Sequence, residues 1–256
     1  MATAMDFCNK VVLITGASSG IGAAAAVLFA QQSAKVVLVG RNEHNLQEVS
    51  VKCEKANGIK PLIIKAELNI DTDVQKIVSE TINQFGRIDV LVNNAGLGVR
   101  GSITDGIVPF DKVMAINVRA VYLLTSLAVP YLTKVKGNIV NVSSVAAFKP
   151  IKDADYLPYC ISKAALDQFT KCVALELSKS GVRVNSVNPG GTKTPFLYKS
   201  RDKNYPLGKM AESDDVADLI LYLASDRARS ITGGIYVVDN GESLVVGSGT
   251  QSADPG

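Results

Sequence analysis

The sequence is poor in several chemically expressive residues. It holds one histidine, His44, in 256 positions, and no tryptophan. One imidazole cannot build a histidine-based zinc set, and a hydrolytic triad would have to recruit that single side chain. His44 lies near the start of an expected helix among polar neighbours, so it reads as a solvated surface residue. The four cysteines, Cys8, Cys53, Cys160 and Cys172, form no CxxC pair. Neither a metal site nor a disulfide framework is expected, and reduced thiols in a cytoplasmic protein are. Charge of one sign is also lacking. The 27 basic residues against 24 acidic ones leave +3, without a basic block, so no nucleic-acid partner is expected. Consecutive apolar runs fall short of the roughly 20 residues that span a bilayer. The opening MATAMDFCNK lacks a basic stretch followed by an apolar one, so neither a membrane span nor a signal peptide is expected. The closing GSGTQSADPG is small and polar, and a flexible tail is expected over about 246–256.

What is present is apolar material in a regular alternation. Hydrophobic residues make up 47% of the chain. Short β-branched runs occur at 10–15 (KVVLIT), 35–40 (KVVLVG), 61–65 (PLIIK), 89–93 (DVLVN), 138–143 (NIVNVS), 182–188 and 235–239. They are apolar on both faces, as strands are when helices cover both sides of a parallel sheet. Between them lie segments of helical period. In 71–85, Val74, Ile77, Val78 and Ile82 recur at helical spacing behind Asp71. Another helix is expected from Ser213, with Asp214 and Asp215 in its first turn, where the helix dipole favours negative charge. There is no repeat, no low-complexity linker and no domain boundary. The expectation is an α/β chain forming a single-domain, doubly wound Rossmann fold over residues 1–256. It should hold a seven-stranded parallel sheet with helices on both faces. The least regular internal segment, 190–209, carries two prolines and several charges, which marks a functional loop.

The first expected strand runs into TGASSGIG at 15–22. Gly16 permits a tight turn, Gly20 a close approach of phosphate to backbone, and Gly22 close packing of the following helix. The uncovered N–H groups and the dipole of a helix start favour a pyrophosphate. The spacing is G-x-x-x-G-x-G, not the generic G-x-G-x-x-G, yet its strand–turn–helix setting points to a dinucleotide. The second strand ends at Gly40–Arg41, where an acidic residue would bind the ribose 2′-OH of NAD. An arginine there suits the 2′-phosphate of NADP instead. NADP(H) is therefore favoured over NAD(H), with Glu43 nearby as the feature opposing that preference.

Further motifs carry a resemblance. They are NNAG at 93–96, MAINVRA around Asn117, NVSS at 141–144, YCISK at 159–163, NPG at 188–190, and ITGG at 231–234 leading into VDNG. With the glycine turn they resemble the short-chain dehydrogenase/reductase family, in family order, over roughly residues 10–243. The overall pattern is similar to the 3-oxoacyl carrier-protein reductase type. The resemblance implies hydride transfer between a nicotinamide cofactor and a carbonyl or secondary-alcohol carbon, with catalytic residues Asn117, Ser144, Tyr159 and Lys163. Tyr159 would be the acid/base. A free tyrosine titrates near ~10, so Lys163, one helical turn on, would favour its phenolate. Lys163 would also bond the nicotinamide ribose. Ser144 would donate to the substrate oxygen, with Ser143 as the competing choice. Asn117 would hold a water leading from Lys163 to solvent, or pin a helix kink, or both.

Cofactor contacts are implied at Gly16, Ser18, Ser19, Gly20, Ile21 and Gly22 of the turn, and at Arg41. They continue at Glu67 and Leu68, Asn94, Ala95 and Gly96, Tyr159 and Lys163, and Pro189, Gly190, Thr192 and Thr194. No metal is implied. Asn93 would tie neighbouring strands together. Two departures from the family pattern stand out. Ser144 and Tyr159 are 15 positions apart, about two more than usual, which places extra residues in 149–157. Glu67 also stands where the family has aspartate. Tyr156 in the longer loop lines the substrate site or packs; the residue four beyond it is Cys160, so it does not replace Tyr159. Cys160 itself is expected to point elsewhere around the helix. Phe196, Leu197 and Tyr198 would offer apolar surface to a hydrophobic substrate: a steroid, an isoprenoid, a 3-oxoacyl thioester or a xenobiotic carbonyl. The family habit implies a homotetramer. A non-catalytic dinucleotide sensor is the competing class; an isomerase, epimerase or dehydratase using bound NAD is a third, disfavoured because such relatives usually carry a larger C-terminal substrate domain, for which this chain has no room.

Overall fold

The computed structural model describes residues 7–151, 155–197 and 205–245. The expected tail at 246–256 and Tyr198 lie outside the described residues. Seven strands form one sheet: β1 (Val11–Thr15), β2 (Lys35–Gly40), β3 (Leu62–Lys65), β4 (Val90–Asn93), β5 (Asn138–Val142), β6 (Arg183–Pro189) and β7 (Ile235–Val238). Their order is β3-β2-β1-β4-β5-β6-β7, and every adjacent pair is parallel. Helices α1 (Gly20–Gln31), α2 (Glu43–Asn57), α3 (Asp71–Phe85), α4 (Val108–Met114), α5 (Ala120–Val135), α6 (Leu157–Leu177) and α7 (Ser213–Ala224) provide the crossovers. This is the expected seven-stranded doubly wound sheet. The strand order reverses between β1 and β4, so a crevice opens beyond the carboxyl ends of those strands.

The two sheet faces bury separate cores. On one, Val12, Ile14, Val36, Leu38 and Val140 pack against Ala26 and Phe29 of α1, Leu46 and Val49 of α2, and Val216 and Ile220 of α7. On the other, Leu13, Val37, Leu91, Ile139 and Val184 pack against Val74 and Ile77 of α3, Leu124 and Ala128 of α5, and Leu177 of α6. Alternate residues of β1 thus serve opposite cores, which is why that run is apolar from Val11 to Ile14. Fully burying one such Leu or Ile contributes about 1.5–3 kcal/mol.

Between α4 and α5 the helix widens into a π turn, Ala115–Arg119. The three pieces run on as one 28-residue rod, Val108–Val135, with mean hydropathy 1.5 in its most apolar window. By length and composition such a rod is able to cross a membrane, which the short consecutive apolar runs do not suggest. Here Leu124, Ala128 and Leu132 lie in the core on the sheet, and Val113, Ala120 and Val121 are buried as well.

Candidate active site

The crevice beyond β1 and β4 is built from glycine-permitted contacts. Gly16 has φ +66°, and a Cβ there would stand 2.8 Å from Asn94 Nδ2. A Cβ on Gly22 would meet both Asn94 Nδ2 and the Gly16 carbonyl oxygen. The turn therefore folds onto the NNAG segment, with α1 rising directly from it. Asn94 is the clamp: its Nδ2 donates to the carbonyls of Thr15 at 2.9 Å and Gly16 at 3.2 Å. Thr15 Oγ1 accepts from the N–H groups of Asn94 and Ala95. The Asn94 side chain is thus spent on shaping the turn. A Cβ on Gly20 would meet Thr194 Cγ2 at 2.9 Å, so the chain after β6 lies over the start of α1.

That helix start retains open donors. Ser19 caps α1 with extended backbone but makes no side-chain cap bond, and the first turn holds no acidic residue. Uncapped N–H groups at a glycine turn fit a phosphate group. Arg41, at the end of β2, is exposed and makes no ion pair among the described residues. Glu43, the feature opposing a 2′-phosphate there, lies 3.9 Å from Lys65 Nζ instead. Glu67 is exposed, and its N–H donates to Asp73 Oδ2 at 2.7 Å. Leu68 packs at the edge of the α3 core.

The proton-handling residues converge at the other end of the crevice. Helix α6 places Tyr159 and Lys163 one turn apart, and Lys163 Nζ stands 5.6 Å from the centroid of the Tyr159 ring. Ser144 lies near enough to the Tyr159 hydroxyl to favour its ionised form. Of the serine pair, Ser143 is buried and donates to the Lys163 carbonyl at 3.1 Å. Ser144 stays half-buried, accepts from Ala146 N and donates to the Pro189 carbonyl at 3.4 Å. The end of β5 thus separates two neighbours that look alike in sequence: one packs, and one faces Tyr159. Burial pushes the Tyr159 hydroxyl up to about 12, against the opposing influence of Ser144. Burial also pulls the Lys163 ammonium down to about 8, with Asp167 opposing. Lys163 Nζ donates to the Val142 carbonyl at 2.8 Å.

Asn117 occupies the π turn and is 1% exposed. Its Oδ1 accepts from Leu97 N at 2.7 Å. Its Nδ2 donates to the Leu97 carbonyl and to Ser162 Oγ, both at 2.9 Å. Ser162 Oγ in turn donates to the Tyr159 carbonyl. Asn117 therefore pins the widened turn to the loop after β4 and to α6. A Cβ on Gly96 would stand 3.6 Å from Lys163 Nζ and 3.7 Å from Asn117 Oδ1, so these three residues meet. Asn93 ties β4 to β5 and α5 through Asn141 Oδ1 at 2.9 Å and Thr125 Oγ1 at 3.3 Å.

Further residues border the site, Phe196 among those the sequence pointed to and Asp167, Arg100 and Asp155 without a local sequence signal. Phe196 lays its ring 5.9 Å from that of Tyr159 at 39°, and a Cβ on Gly98 would strike it at 2.8 Å. Asp167 accepts from Asn188 Nδ2 at 2.7 Å and Ser186 Oγ at 3.2 Å. The longer loop between Ser144 and Tyr159 is tied across the mouth. Gly101 N donates to the Asp155 carbonyl at 2.6 Å, and Leu157 N donates to the Gly101 carbonyl at 3.3 Å. Arg100 pairs with Asp155 at 3.6 Å. Tyr156 enters this contact through its backbone, in a parallel bridge to Gly101. His44 is at the surface beside Glu48, as expected.

Comparison with known proteins places this arrangement. Residues 16–243 match the family model described as enoyl-(acyl carrier protein) reductase. The chain is 37% identical over 248 residues to the 3-oxoacyl-[acyl-carrier-protein] reductase FabG of Thermotoga maritima, covering 91% of this chain and 97% of that one. The 3-ketoacyl-(acyl-carrier-protein) reductase of Brucella melitensis, solved with NADH, superposes with TM-score 0.86 at 33% identity, covering 93% of this chain and 100% of that one. L-sorbose reductase of Gluconobacter frateurii, solved with NADPH and L-sorbose, superposes with TM-score 0.88 at 30% identity, covering 95% and 100%. The chain belongs to the short-chain dehydrogenase/reductase family and is an oxidoreductase acting on alcohol and carbonyl groups.

Proposed function

We propose that this protein is an NADP(H)-dependent carbonyl reductase or secondary-alcohol dehydrogenase in which Tyr159 carries the proton. The observation that supports this most is the meeting of Tyr159, Ser144 and Lys163 beside Gly96 and Asn117. The glycine turn, the uncapped start of α1 and Arg41 would hold the dinucleotide, with Ala95 and Gly96 letting its adenosine ribose lie close to the backbone and the 189–194 segment along its nicotinamide half. When bound, that cofactor supplies or accepts the hydride.

The remaining chemistry belongs to this chain. A phenol pushed up to about 12 keeps its proton at neutral pH, so Tyr159 stands ready to donate to a substrate oxygen as charge develops there. Ser144 donates a second hydrogen bond to the same oxygen. Lys163, charged below about 8, favours the phenolate left on Tyr159. A water held beside Asn117 and Lys163 returns the proton from solvent. Ser143 is committed to the Lys163 carbonyl and takes no part. Phe196, packed beside the Tyr159 ring, presents an apolar wall for a hydrophobic ketone or alcohol; the Leu197 side chain, like Tyr198, lies outside the described residues. Tyr122 and Leu175, on α5 and α6, are 65% and 79% exposed, and they support assembly of a homotetramer through those helices. No disulfide joins the cysteines among the described residues, in keeping with a cytoplasmic enzyme.

The test is Tyr159→Phe. General acid catalysis contributes about 10²–10⁴-fold, so turnover of a ketone panel followed at NADPH absorbance should fall by about 10³-fold, with NADPH affinity held within about twofold. Undiminished turnover would refute the role of Tyr159.

A further inference from the structure

Three segments bordering the proposed pocket meet on one short turn after β7. This 3-10 turn, Glu242–Leu244, lies far in sequence from every catalytic residue. Glu242 Oε2 accepts from the Gly191 N–H at 2.6 Å. The approach is close because two glycines follow Pro189. A Cβ on Gly190 would stand 2.8 Å from that carboxylate oxygen, and one on Gly191 would stand 3.3 Å from it. On its other side the turn is held by Lys149, from the long loop after β5. Lys149 Nζ donates to the carbonyls of Glu242 at 2.8 Å and Val245 at 2.9 Å. Just before the turn, Asn240 Nδ2 donates to the Lys209 carbonyl at 2.7 Å, and Leu207 N donates to the Asn240 carbonyl at 3.2 Å. The turn thus joins the 149 loop, the 190–194 segment and the return at 207–209.

A carboxylate receiving a backbone N–H makes a charge-assisted bond, roughly twice as strong as a neutral one. It fixes the peptide plane leading to Thr192, whose Oγ1 is itself turned back to the Gly190 carbonyl at 3.1 Å. We propose that Glu242 is a positioning residue for the nicotinamide end of the cofactor, and that Lys149 supports it by anchoring the turn that carries it. This rests on the reading above that the 189–194 backbone meets that end of the dinucleotide. Neither residue belongs to the motifs that carry the family resemblance.

The experiment compares two ligands by isothermal titration calorimetry. NADPH reaches the 190–194 segment, whereas 2′-phospho-ADP-ribose lacks the nicotinamide and does not. Glu242→Ala should weaken NADPH by about 10-fold, in the range of one lost hydrogen bond to a charged group, and leave 2′-phospho-ADP-ribose within about twofold. Glu242→Gln keeps an acceptor oxygen without the charge and should fall between. Lys149→Met should show the same selectivity at smaller size. Thermal unfolding checks the fold; if the alanine variant fails to fold, the glutamine variant carries the comparison. Equal weakening of both ligands, or unchanged NADPH affinity in every variant, overturns the role of Glu242. Wild-type protein that binds neither ligand, nor NADH and ADP-ribose, sinks the cofactor reading itself and this inference with it.

Discussion

Lys163 Nζ sits 5.6 Å from the centre of the Tyr159 ring while donating to the Val142 carbonyl. Neither residue is in an ordinary state, because burial acts on them in opposite senses. It favours the neutral forms of both, raising the phenol to about 12 and lowering the ammonium to about 8. The site thus holds a firmly protonated donor beside a cation that titrates in the mildly alkaline range.

That pairing carries a stability signature in the cofactor-free protein. The Lys163 pKa is depressed on folding from its ordinary 10.5, so the unfolded chain binds this proton more tightly. Its stabilising contribution is complete above 10.5 and is lost as pH falls through about 8. The Tyr159 pKa is raised from 10, so its contribution is complete below 10 and is lost only toward about 12. Between pH 8 and 10, wild-type protein should therefore gain stability relative to Lys163→Met, with a slope approaching about 1.4 kcal/mol per pH unit. Urea unfolding of both proteins at pH 7.5, 8.5 and 9.5 measures this. A pH-independent difference between them would show that Lys163 is not desolvated.

Arg41 stands at the end of β2 with no ion pair among the described residues, and Glu43 is turned toward Lys65. A guanidinium so placed is available for a 2′-phosphate. Arg41→Ala should lower kcat/KM with NADPH by about 10- to 100-fold, the size of a hydrogen bond to a charged group, and change kcat/KM with NADH by less than about threefold. Equal losses with both cofactors would remove the basis for an NADP preference.

Tyr205 and Gly191 make a second coupled pair. The Tyr205 hydroxyl is buried without a hydrogen-bond partner among the described residues, and a Cβ on Gly191 would stand only 2.1 Å from it. A buried hydroxyl lacking a partner carries a desolvation cost of about 1–3 kcal/mol. Tyr205→Phe should be neutral or stabilising by about 1 kcal/mol. Gly191→Ala should destabilise by about 1–3 kcal/mol through overpacking. The double variant should recover part of that loss, since without the hydroxyl the nearest ring atom is the Cζ, 3.1 Å away. Urea unfolding of the four proteins gives the coupling, and simple additivity of the two changes would contradict the contact.

Much of the fold was legible because its signals are local. The run KVVLIT predicts a strand over 10–15 and the structure forms Val11–Thr15; burial on both faces makes Val11 to Ile14 apolar throughout. The helix expected over 71–85 has the same bounds in the structure, with Asp71 and Asp73 in its first turn and Gly86 in left-handed conformation at its end. Tyr159 and Lys163 were legible as a pair because four residues make one helical turn. Ser143 and Ser144 were not separable from adjacency alone; their opposite hydrogen bonds, one to Lys163 and one to Pro189, distinguish them. Asn94 reads as a cofactor contact from its motif, yet its amide is used within the protein to brace Thr15 and Gly16.

By itself the sequence determined the periodicities, and with them the strands, the helices and the glycine turn. Each of these depends on residues within one or two turns of one another. Tertiary structure decided what lies between Phe196 and Gly98, Glu242 and Gly191, Lys149 and the last described turn, and Tyr205 and the second glycine after Pro189. Those contacts join residues from 14 to nearly a hundred positions apart, and no local pattern encodes them. They arise because a parallel sheet brings the carboxyl ends of its strands to one edge, where loops from distant parts of the chain must share the same space.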